Sequence, residues 1–165
     1  MRIRYAIATL TLMLVALPAL GQKDLPYGWH QPTKTELGKR GKQGLSLRAD
    51  FDGDGKPDTA VILADDRGRA VGVFAFATST SRWFKLDSDP VAELQHWSIT
   101  LAQPGSYETT CAPDEADCKP GTVKLERPGI QSLEGGKATL FYWDADAKAF
   151  KHAALATLGI KIKAG

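Results

Sequence analysis

Apolar and polar residues alternate with a period of two over much of the chain, the spacing that turns one face of a strand inward and the other outward. Leu45, Leu47 and Ala49 alternate with Ser46 and Arg48, which predicts a strand. Thr59-Ala-Val-Ile-Leu-Ala64 and Ala70-Val-Gly-Val-Phe-Ala-Phe-Ala77 are β-rich apolar runs on either side of the turn cluster Asp65-Asp66-Arg67-Gly68-Arg69, the pattern of a hairpin. Arg82 to Leu86, Trp97 to Leu101, Thr122 to Glu126 and Ile130 to Leu133 predict further strands, with Pro104-Gly105 and Pro128-Gly129 breaking the runs. A second hairpin is expected where Ala138 to Trp143 and Ala149 to Ala153 flank Asp144-Ala-Asp-Ala-Lys148. Helical signals are few. Thr33 and Glu36 have capping-box spacing, which predicts a short helix near Pro32 to Lys39. Asp89 followed by Pro90 predicts an N-cap and first helical residue for one or two turns over Val91 to His96. The tail from Leu155 is alanine-rich for a strand and too short for an independent helix. The expected fold is mainly β: an antiparallel sheet, or a compact β-sandwich or partial barrel, with one or two short helices.

The first residues add a location. Met-Arg-Ile-Arg, an apolar run from Tyr5 to Leu20 and small residues at Ala19-Leu20-Gly21 are the three parts of a secretory signal peptide, with cleavage expected near Gly21. The run is short for a membrane span of about 20 apolar residues. Residues 22–165 then form one exported domain, periplasmic or secreted, long enough for a single core. Losing residues 1–21 removes Arg2 and Arg4 and no acid, so the formal net charge of +2 falls to zero. With no basic excess, nucleic acid and acidic membrane surfaces are not expected partners.

Cys111 and Cys118 are the two cysteines, inside the proline-rich stretch Thr-Thr-Cys-Ala-Pro-Asp-Glu-Ala-Asp-Cys-Lys-Pro-Gly. In an exported chain a disulfide is their simplest use. A zinc site is the sharper alternative, but it wants four ligands and no histidine lies nearby.

The strongest chemical signal is Asp-Phe-Asp-Gly-Asp-Gly-Lys-Pro-Asp, from Asp50 to Asp58. Asp50, Asp52, Asp54 and Asp58 occupy positions 1, 3, 5 and 9 of a calcium-binding loop, with Gly55 at the sharp turn of position 6 and the carbonyl of Lys56 at position 7. Carboxylates this close repel one another unless a cation neutralises them, and hard oxygen donors at flexible spacing suit calcium (Ca2+) better than zinc or magnesium. Position 12, where an EF-hand places a bidentate glutamate, is Val61, and strand-like sequence follows. The EF-hand's exiting helix is therefore not expected.

With its flanks, Arg48-Ala-Asp-Phe-Asp-Gly-Asp-Gly-Lys-Pro-Asp-Thr-Ala-Val resembles the calcium loop of the FG-GAP and VCBS repeats. Those loops recur in β-propeller blades. This chain carries one copy, so the full propeller, which needs at least four blades, is not implied. The resemblance implies Asp50, Asp52, Asp54, Lys56 and Asp58 as ligand positions. The order of leader, Asp loop, Pro104-Gly-x-Tyr107, cysteine pair, Pro128-Gly-Ile130 and Phe141-Tyr-Trp-Asp144 further resembles small exported bacterial VCBS-type proteins, a label that implies no activity.

Other constellations are weaker. His30, His96 and His152 form no metal-ligand spacing, and no Gly-x-Ser-x-Gly elbow is present. Asp144 and Asp146 offer a carboxylate pair or a second, degenerate metal loop, but a hairpin turn needs fewer assumptions. Trp29, Trp83, Trp97, Tyr142 and Trp143 are expected mostly in the core, with one or two exposed. The expected function is an exported, calcium-stabilised binding domain with a protein or glycan partner in the cell envelope. The alternatives are a cell-envelope hydrolase using carboxylates, a periplasmic inhibitor or immunity protein presenting the acidic loop between the cysteines, and a structural envelope component.

Overall fold

The computed structural model describes residues 25–111 and 120–156; the expected leader, residues 1–21, and Cys118 lie outside them. The described chain is mainly β, with antiparallel pairing throughout and two short helices.

Three strands follow the sequence from the N-terminal side: β1 (Trp29–His30), β2 (Ser46–Ala49) and β3 (Asp58–Asp65), with the four-residue helix α1 (Lys34–Leu37) between the first two. Thr33 caps α1 and Glu36 reaches back to it, the reciprocal capping box expected from their spacing. Hairpin partners β4 (Ala70–Ala77) and β5 (Arg82–Pro90) complete the first sheet. β1 and β2 pair with opposite ends of β3, which pairs β4, which pairs β5. A 3₁₀ helix (Val91–His96) then leads to β6 (Trp97–Ala102). The hairpin of β7 (Gly105–Thr109) and β8 (Gly121–Leu125) stands apart, and β9 (Gly129–Glu134), β10 (Lys137–Asp144) and β11 (Ala149–Ala154) join β6 in a second sheet of order β11-β10-β9-β6.

Period-two alternation builds three layers from these elements. Ala60 and Ile62 of β3 and Val71, Val73 and Ala75 of β4 face Trp97, Ile99, Ile130 and Phe141 of the second sheet in one buried core. β3 is buried on its other face too, where Val61 and Leu63 join Phe74 under Leu25, Trp29 and Trp83. The far side of the second sheet buries Ala102, Ala138 and Leu140 against Tyr107 and Leu125 of the β7–β8 ribbon. The fold is thus two antiparallel sheets packed face to face, with a ribbon on the outside.

The helix over 91–96 differs in detail from the expectation. β5 runs on through Pro90, which pairs with Ala70, so Pro90 takes the N-cap place and no side chain caps the helix. Asp89 shares a face with its partner Val71 and Asp87 with Val73, so both carboxylates turn toward the space between the sheets. Inward charges on an edge strand discourage another chain from pairing with it. Of the five large aromatics, Trp97 alone is fully buried; Trp29, Trp83, Tyr142 and Trp143 are half-buried.

Candidate metal centre

The loop at 50–58 exists because β2 and β3 pair up to Ala49 and Asp58 and leave the residues between them to turn back. Gly53 and Gly55 take φ of +82° and +83°, which side chains with a β-carbon resist. Successive aspartates bond to the backbone just ahead of them. Asp50 accepts from the Gly53 N–H at 2.7 Å and the Gly55 N–H at 3.0 Å. Asp52 accepts from the Asp54 N–H at 3.1 Å and Asp54 from the Lys56 N–H at 2.8 Å. The Asp52 and Asp54 bonds are Asx turns, the local device that makes aspartate a loop residue. Phe51 points the other way and is wholly buried in the core, which anchors the loop to the sandwich.

Asp58 is fully buried at the first position of β3. One carboxylate oxygen accepts from the N–H groups of Phe51 and Asp52 at 2.8 and 3.0 Å; the other accepts from the N–H and hydroxyl of Thr78, both at 2.8 Å. Asp58 thus takes its donors from the start of its own loop and from the β4–β5 turn. That turn also holds Asp52, through the Ser79 N–H at 3.0 Å, and brings Asp54 within 3.0 Å of the Thr78 hydroxyl, whose single hydrogen lies between Asp54 and Asp58. From further along the chain, Arg127 donates to the Asp52 carbonyl at 2.6 Å. Its guanidinium occupies the space beside Gly53, where an added Cβ would come within 2.5 Å of Nη1.

One oxygen each from Asp50, Asp52 and Asp58 lies within 4.8 Å of the others. Three hard oxygen donors brought together, two of them on buried side chains, could hold a metal ion. Asp54 and Lys56 are exposed and stand outside this group. Thr78, Ser79 and Arg127 belong to the site's support and were not anticipated. The run Thr78-Ser-Thr-Ser81 after an apolar strand marks a turn, but nothing local ties it to the aspartates, and Arg127 has no sequence signal at all.

The remaining candidates serve other purposes. Asp144 accepts from the N–H groups of Asp146 and Ala147, both at 2.9 Å, and pairs with Lys151, so it is committed to its hairpin turn. Cys111 is disulfide-bonded, and Cys118 lies outside the described residues. Glu134 stands opposite Trp97 across the β6–β9 pair, with its carboxylate near the buried Trp97 indole N–H. Burial and the neighbouring Asp89 push Glu134 above the usual carboxylate range, and burial pushes Asp87 up as well. Among the described residues, no helix is long and apolar enough to cross a membrane. Set against protein-family models, curated proteins and solved structures, the chain matches none.

Proposed function

We propose that the 50–58 loop binds calcium and that the chain is an exported, calcium-stabilised binding domain for a protein or glycan of the cell envelope. The observation that carries the metal is the convergence of Asp50, Asp52 and Asp58, in a loop whose spacing resembles the FG-GAP and VCBS calcium loops. Asp54 and the Lys56 carbonyl would complete the ligand set implied by that resemblance. Export rests on the leader-like sequence of residues 1–21.

The ion's role is structural. β2, β3, the β4–β5 turn and Arg127 meet at the loop, so neutralising its carboxylates stabilises a junction of the fold. Extracellular modules bind calcium with dissociation constants of about 0.1 to 1 mM. At ten times that constant the ion adds roughly 1.4 kcal/mol by mass action.

Thermal unfolding tests the metal. EDTA should lower the melting temperature, and calcium should restore it better than magnesium. Asp52→Ala should abolish the difference between calcium and EDTA, whatever it does to the baseline. A melting curve indifferent to all three conditions overturns the reading. Pull-down from envelope extract, with and without calcium, tests the partner: material retained by the wild type and lost with Asp52→Ala supports a calcium-dependent binding surface.

A further inference from the structure

His30 lies between two carboxylates from different elements. Its Nδ1 is 3.0 Å from Oδ1 of Asp66 in the β3–β4 turn, and its Nε2 is 3.2 Å from both carboxylate oxygens of Glu36 in α1. Both ring nitrogens face acceptors. Neutral imidazole carries one N–H and can satisfy only one of them; the imidazolium carries two and satisfies both.

The segment joined by this ring has few other ties. β1 contributes two residues to the sheet, paired with Ala64 and Asp65 at the end of β3. α1 is four residues long, too short to hold itself together. Beyond these, the Asp66 N–H donates to the Gly28 carbonyl at 2.9 Å, Gln95 reaches the Glu36 and Leu37 carbonyls, and Arg40 donates to the Leu94 carbonyl at 2.8 Å. Yet the segment covers apolar surface: Trp29 packs edge-on against Phe74 at 4.6 Å between centroids, and Leu37 is buried in the main core.

We propose that His30 is a pH-sensitive latch: as the imidazolium it ties β1, α1 and the β3–β4 turn together, and its deprotonation loosens residues 25–40 from the first sheet. Glu36 and Asp66 are the charged groups that face the ring, one from each element packed against it. Asp65, the other acid of the turn, is engaged by the Ala70 and Arg69 N–H groups and the Arg69 side chain.

The local electrostatics agree with this geometry. Partial burial lowers the His30 pKa, but the hydrogen bonds to Asp66 and Glu36 outweigh it and the net shift is upward. Stability from a raised group is present in full below its unfolded value and lost as pH rises through the folded value. Glu36 shifts downward, because its bonds from Thr33 and His30 outweigh burial. Its contribution is lost as pH falls through that depressed value. The latch is therefore closed between the two folded-state values and opens above the upper one.

Hydrogen exchange, read as protection factors on the full chain, tests the latch. Between about pH 6 and about pH 8.5, opening of residues 25–40 relative to β3 and β4 should increase roughly two- to fivefold, the effect of a partly exposed ion pair. In His30→Gln the segment should open equally at both pH values. Asp66→Asn removes one acceptor without touching the capping box, and it should move the NMR titration midpoint of His30 downward. A wild-type segment whose relative protection is the same at both pH values overturns the latch. So does a change that persists unaltered in His30→Gln, or a His30 midpoint that ignores Asp66→Asn.

Discussion

Two aspartate-rich turns join neighbouring strands of this molecule, residues 50–58 between β2 and β3 and residues 144–148 between β10 and β11. Both use Asx turns to reverse the chain. They differ in what else reaches the carboxylates. In the second, Asp144 takes its donors from its own turn and from Lys151 on the adjacent strand. In the first, Asp52 and Asp58 are buried, and their donors come also from Thr78 and Ser79 across the sheet, while Arg127 braces the backbone. Aspartate and glycine alone thus specify a turn. Convergence of three carboxylates requires a tertiary frame that holds them out of water and fixes their direction.

Asp58→Ala should have the largest effect, because it leaves the N–H groups of Phe51, Asp52 and Thr78 without their acceptor in a buried site. A loss of about 3 kcal/mol or more is expected in denaturant unfolding. A loss as small as that of a surface turn would erase the contrast between the two loops.

Glycine substitutions separate backbone strain from framing. Gly53→Ala and Gly55→Ala both place alanine at positive φ, costing about 1 kcal/mol each. The first also drives a methyl into the Arg127 guanidinium, whereas the space at Gly55 is open. Gly53→Ala should therefore cost about 1 kcal/mol more. Repeating it in an Arg127→Ala background should bring its cost down to that of Gly55→Ala, a coupling that a double-mutant cycle reads directly.

A carboxylate set beside another carboxylate should behave in the opposite sense. Glu134 faces Asp89 and is raised by burial and by that neighbour. Its favourable contribution is present below the unfolded value of 4.5 and lost as pH rises through the folded one. Glu134→Gln should accordingly stabilise the protein at neutral pH, by less than about 1 kcal/mol given its partial solvent access, and flatten the decline in melting temperature that begins above pH 4.5 and ends at the raised folded value. Asp144→Asn should have the smallest effect, a change of about 2 °C or less in melting temperature.

Much of the fold was legible because local signals and tertiary demands agreed. Both long hairpins follow from β-rich apolar runs around charged or Asp-rich turns, and Thr33 and Glu36 form the capping box that their spacing predicts. β1 was not legible, since two residues carry no period. Nor was β7: its place depends on Tyr107 packing onto the second sheet and bonding to the Gln103 carbonyl at 2.7 Å. Asp89 looked like an N-cap, but its pairing register turns it inward, toward Glu134, instead of toward the helix. In the candidate site, the loop residues could be read and their frame could not. Thr78 and Arg127 lie 20 residues beyond Asp58 and 75 beyond Asp52 in sequence.

Calorimetric titration with calcium tests the central claim most directly. The wild type and Asp144→Asn should bind one ion per chain, saturably, with a dissociation constant of about 0.1 to 1 mM, and Asp52→Ala should not bind. Absence of saturable binding in the wild type, or equal binding by Asp52→Ala, would contradict it.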